Sequence, residues 1–148
     1  VDVDLCIGCG ECTSVCPTGA IPIRWKTDER AVQEKTAEYA LASLQGKEKK
    51  VGYINLLNNI SPDCDCFGWN DTPIAPNLGM LASTDPVAID QASVTLVNAA
   101  PGLPHSKLTD LDAPDKIHAV TGVNWEPLLE HGEKIGLGSR RYNQVAVK

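Results

Sequence analysis

Ser83-Thr84-Asp85-Pro86-Val87-Ala88-Ile89-Asp90-Gln91-Ala92-Ser93 is the stretch that decides the fold. Asp85 suits a helix N-cap and Pro86 the first helical position, where its missing N–H costs nothing. The helix that follows, to about Asn98, is apolar on most sides and is expected to be buried. Asp90 then falls in an apolar setting, where a carboxylate needs a partner, and a structural hydrogen bond is the expected one. Just upstream, Leu78 to Ser83 has the composition of a short strand.

Working outward, Val51 to Leu57 reads as a second, buried strand. Before it, Asp28 can cap a helix whose Ala37, Ala40, Leu41 and Leu44 recur at spacings of three and four. Gly46 can end that helix, and Lys47, Lys49 and Lys50 suit its negative C-terminal end. Residues 100 to 124 read as loop, with His105 and His118 as surface or hydrogen-bonded histidines. A last helix runs from about Trp125 to Ile135, broken by Gly136 and Gly138, and residues 140 to 148 form an extended tail. The expected class is α+β. A small ferredoxin-like loop module at residues 1–25 joins an α/β segment at 26–148 with about three helices and a few strands.

Composition sets limits on function. The net charge of −6 disfavours nucleic acid as a partner, because phosphate binding needs a basic face. It suits a cationic redox partner. No apolar run approaches the ~18 residues of a membrane span, and no secretion signal is visible, so a cytoplasmic setting is expected. A chain that opens on Val1, with its sole methionine at Met80, reads as a fragment or processed product. A preceding segment or a second chain then becomes a candidate contributor.

Six cysteines in such a chain favour metal or redox chemistry over disulfides. Cys6-Ile7-Gly8-Cys9-Gly10-Glu11-Cys12-Thr13-Ser14-Val15-Cys16-Pro17 has the spacing C-x2-C-x2-C-x3-C-P, that of bacterial ferredoxins. Two-residue gaps let one tight loop present successive thiolates to different irons of a cubane. Gly8 and Gly10 can take the backbone angles such a loop requires. Ile7, Val15 and Ile21 are placed to keep water away, and Thr18 to Ile21 should lead into a short strand. Zinc prefers separated pairs of ligands. Disulfides between cysteines so close in sequence would be strained.

A second cubane cannot be completed from this chain, since only Cys64 and Cys66 remain. They lie in Ser61-Pro62-Asp63-Cys64-Asp65-Cys66-Phe67-Gly68-Trp69, within a long loop from Asn58 to Asn77. Loops of that length are usually functional or disordered, and the aromatic residues here favour function. In two-cluster ferredoxins the fourth cysteine of one motif serves the other cluster, so Cys16 need not complete the first. Three arrangements stay open. Cys64 or Cys66 completes the cluster, Cys16 completes it, or Cys16, Cys64 and Cys66 belong to a second metal site.

The Cys-Ile-Gly-Cys-Gly-Glu-Cys run, Tyr53-Ile54-Asn55, the Asp63-Cys64-Asp65-Cys66 segment, Asp85-Pro86-Val87-Ala88-Ile89-Asp90 and Lys134-Ile135-Gly136-Leu137-Gly138 occur together. In this combination the chain resembles the C-terminal half of iron–sulfur proteins carrying the domain of unknown function 362. The resemblance implies one [4Fe–4S] cluster held by Cys6, Cys9 and Cys12. Cys66 is the preferred fourth ligand, with Cys64 and Cys16 as alternatives. It implies no substrate. One-electron transfer to a redox partner protein is the leading expectation. The rivals are an enzyme with Asp85 and Asp90 near its substrate pocket, and a purely structural cluster. No phosphate-binding loop, Gly-x-Ser-x-Gly or His-Glu-x-x-His motif is present.

Overall fold

A computed structural model describes residues 2, 5, 6, 9–21, 28–47, 49–64, 68, 69 and 71–147. The strand expected after Ile21 falls on residues 22–27, outside the described residues. The elements run α1 (Glu11–Val15), α2 (Glu29–Leu44), β1 (Tyr53–Leu57), β2 (Gly79–Ser83), α3 (Pro86–Ala99), α4 (Lys116–Thr121) and α5 (Glu126–Lys134). The fold is α+β, a two-stranded antiparallel sheet among helices. No helix among the described residues is long and apolar enough to cross a membrane.

The strand–helix reading around Asp85 holds. Asp85 Oδ1 accepts from the Ala88 amide at 2.9 Å, and Pro86 opens α3. Val87, Ala88, Ile89, Ala92 and Val97 are buried. Asp90 makes the expected structural hydrogen bond, accepting from Asn55 Nδ2 at 2.8 Å, but it is exposed where burial was expected. The same amide reaches Ser93 Oγ at 2.9 Å. Burial of α3 covers the stripe at 88, 89 and 92, and Asp90 lies off that stripe.

β1 and β2 pair with Tyr53 opposite Ser83, Asn55 opposite Leu81 and Leu57 opposite Gly79. Alternation places Asn55 and Leu57 toward α3, whereas Ile54, Leu56 and Met80 are about two-thirds exposed on the other face. The pairing continues as an isolated Ile60–Ala75 bridge, with the Ile74 amide donating to Ile60 O at 2.8 Å. The loop between the strands is therefore clamped at its base.

The expected α2 stripe is present, centred on buried Ala37. Gln33 joins α2 to the start of α5. Its Nε2 donates to Asn124 O at 2.7 Å, and its Oε1 accepts from the Leu128 amide at 3.1 Å. Among the described residues, two helices exceed the expected three. One is α1, within the cysteine turn. The other, α4, occupies a stretch expected to be loop. Asp115 caps it through the His118 amide and also accepts from Trp125 Nε1 at 2.8 Å. Lys116 is buried at 3% exposure, its Nζ donating to Asn98 O at 2.7 Å and Ala113 O at 3.2 Å. An ammonium there satisfies the Asn98 carbonyl at the end of α3 and the Ala113 carbonyl ahead of α4. Ile74, Ala75, Val97, Ala100, Leu108 and Ala113 form the main apolar cluster.

Candidate metal centre

The N-terminal cysteines sit on a turn organised by Gly10. Its φ of 74° is left-handed, a conformation natural to glycine and costly to most other residues. From there the chain enters α1. The amides of Thr13 and Ser14 donate to Gly10 O at 3.1 and 3.2 Å, and Thr13 Oγ1 adds a bond of 2.6 Å to the same oxygen. Cys12 lies within α1, and Cys16 follows it in an extended conformation. A second left-handed glycine, Gly19 at φ 63°, closes the next turn, its amide donating to Cys16 O at 3.3 Å.

Cys6, Cys9 and Cys12 are exposed free thiols, and Cys16 is half-buried. The Thr18 hydroxyl, 3.6 Å from Cys16 Sγ, and the Thr18 and Ala20 backbones lower the Cys16 pKa to about 7. At neutral pH about half of this thiol is therefore thiolate, the form that binds metal. The donor chemistry of the turn fits an iron–sulfur centre. The expected shielding does not hold throughout: Val15 is 68% exposed, Ile21 is half-buried, and Ile7 lies outside the described residues.

In the loop between the strands, Pro62 is buried and Cys64 is exposed. Ser61 Oγ donates to Asp63 O at 3.1 Å. Lys107 Nζ reaches both oxygens of Asp63, at 3.0 and 3.2 Å. That contact partly neutralises the Asp63 carboxylate beside Cys64. Asp65 and Cys66 lie outside the described residues. Among the described residues, no three His, Cys, Asp or Glu side chains stand together as a metal-holding group. The turn thus presents four cysteines in one short stretch without a closed set of ligands.

The carboxylates that the rival enzyme reading sets near a substrate pocket do scaffold work. Asp85 holds the Ala88 amide with one oxygen and the Ser139 amide with the other, at 2.9 Å each. A side chain at Gly138 would run into that carboxylate. Asp90 orients Asn55 between the sheet and α3. His105 and His118 are exposed, as expected. His131, which carried no expectation, pairs with Glu38 at 3.1 Å across the α2–α5 contact.

Sequence reasoning also missed a cleft where the end of α2, the start of β1 and the start of α3 meet. Its residues lie far apart in the chain, and the only local signal was the lysine cluster after Gly46.

Fold and site together define an α+β protein with a ferredoxin-spaced cysteine turn at one end. The chain belongs to the family described as Domain of unknown function (DUF362), whose model matches residues 11–95. Comparison with curated proteins and with solved structures finds no match.

Proposed function

We propose that this chain binds one [4Fe–4S] cluster and serves in one-electron transfer. The observation that carries the proposal is the Cys6–Pro17 run, with its ferredoxin spacing, on a turn that Gly10 allows. Cys6, Cys9 and Cys12 supply three thiolates. Cys66 is the preferred fourth, with Cys64 and Cys16 as alternatives.

When bound, such a cluster supplies a reversible one-electron couple whose potential depends on charge, hydrogen bonding and burial. The chain's own residues set those terms. The Thr18 hydroxyl and nearby amides favour negative charge at Cys16. Lys107 offsets Asp63 near Cys64. Exposed Cys6, Cys9 and Cys12 leave a short path to a docked redox protein, and the chain's net charge of −6 favours a basic face on that partner. A centre so open to oxidants suits a reducing compartment such as the cytoplasm. Residues 1–25 act as the cluster module and 26–148 as its support.

The test is anaerobic purification with iron and sulfide counts, followed by EPR of the dithionite-reduced protein. About four irons per chain and a reduced-cluster signal are expected. About eight irons would overturn the single-cluster reading. A cluster lost whenever it is reduced would convert the carrier into a structural staple. A Cys66→Ser variant that keeps full iron would pass the fourth position to Cys64 or Cys16.

A further inference from the structure

We propose that the cleft between the end of α2, the start of β1 and the N-terminal end of α3 binds a small carboxylate on an apolar body about one ring in size. The cleft has a volume of about 190 Å³. A cavity of roughly 150 Å³ is enough to hold benzene, so the space suits one ring and a charged group.

Its wall is apolar, built by Leu44, Val51 and Leu137. Its rim carries Lys47, Lys49 and Tyr53, and among the described residues no Asp or Glu lines it. That contrast is local. The chain carries a net charge of −6, yet residues 47–50 carry three lysines against the single acid Glu48. An anion is thus drawn to this corner against the field of the rest of the molecule.

The backbone supports the rim. Lys49 has φ 61°, left-handed and unfavourable for a residue with a side chain. Lys47 Nζ donates to Ser43 O at 2.6 Å, which holds the ammonium over the end of α2 and uses one of its three donors. A monoanion fits better than a phosphate dianion. The Asp85 carboxylate already occupies the Ala88 amide at the start of α3, and it would repel a second charge. An apolar body matches the wall, which a free inorganic anion would leave uncovered.

The proposal does not depend on the cluster. Its test is an amide-resolved NMR titration of the full chain with sodium benzoate, benzyl alcohol and sodium phosphate in parallel. Benzoate should give saturable shifts centred on Tyr53, Thr84 and Gly136, and benzyl alcohol should bind several-fold more weakly. Lys49→Met and Lys47→Met should each weaken benzoate about fivefold, the scale of an exposed ion pair, and leave benzyl alcohol unchanged. Shifts elsewhere in the spectrum report whether each variant keeps its fold. Equal binding of benzyl alcohol, shifts from phosphate at the same amides and concentrations, or benzoate binding indifferent to both substitutions would overturn it.

Discussion

The cysteine turn and the body that follows are held by different means. In the body, side chains close on one another. Ala75 and Ile74 are 0% and 2% exposed, and among the described residues no buried side-chain nitrogen or oxygen lacks a partner. In the turn, α1 spans five residues, buries none of them and has no side-chain cap. A helix that short is not stable by itself. The body folds because its apolar surface demands burial. Among its described residues the turn leaves Leu5 and Val15 largely exposed, and its conspicuous chemistry is thiol. A segment without a core needs another source of order, and a metal centre is the usual one in small cysteine-rich loops.

The comparison predicts that stability and iron content respond to different residues. The largest stability effect should come from α5. Leu129 is 4% exposed, and Leu129→Ala should cost about 2–5 kcal/mol through lost burial and a residual cavity. Denaturant titration of iron-free protein measures this. Anaerobically loaded Leu129→Ala, kept below its transition, should retain wild-type iron. Iron lost in proportion to stability would erase the distinction between the two regions.

Next comes Asp85, which caps α3 and holds the Ser139 amide. Asp85→Ala should cost about 1–2 kcal/mol, the scale of a lost N-cap. Asp85→Asn should recover part of it, because an amide oxygen still accepts. A variant of unchanged stability would show that the strand-to-α3 junction is held by packing alone.

A smaller, pH-dependent effect belongs to Glu133. The Arg140 amide and the Ser139 hydroxyl, at 2.9 and 3.0 Å, lower its pKa below the ordinary 4.5, with the charges of Arg141 and Arg140 assisting. The folded state thus prefers the ionised carboxylate. Its contribution is full above the unfolded value and is lost as pH falls through the folded one. Between about pH 6 and about pH 3 the wild type should lose more stability than Glu133→Gln. Parallel losses would remove Glu133 from the acid response.

Legibility in the sequence divides along the same line. The body's long elements were readable because each combines a cap with a burial period: Asp28 with Ala37, Ala40, Leu41 and Leu44, and Asp85 with Pro86 and the α3 stripe. α4 was not readable. Six residues are too few to display a helical period, and the Asp115 cap gains meaning only beside Trp125 and Asn98. The hydrogen-bonding role of Asp90 was readable, but its exposure was not, because overall apolarity stood in for facing direction. In the turn the reverse holds. The cysteine spacing is legible because it lies within one short stretch. Which thiol would complete the proposed ligand set, Cys66, Cys64 or Cys16, is not encoded by that spacing.

The smallest stability effect, Cys12→Ser, puts the comparison under most strain. Cys12 is exposed, on a helix with no buried residue. In iron-free protein the exchange should shift stability by no more than about 0.5 kcal/mol, as for surface substitutions generally. Its effect on iron should be severe, because a serine hydroxyl is a far poorer donor to iron than a thiolate. Body and turn are then separable: one chain, unchanged in denaturant resistance when apo, and deprived of the proposed cluster. If Cys12→Ser instead destabilises the apo protein by as much as Leu129→Ala, the turn packs on the body through contacts of its own. The thiols would then have a share in folding that needs no metal.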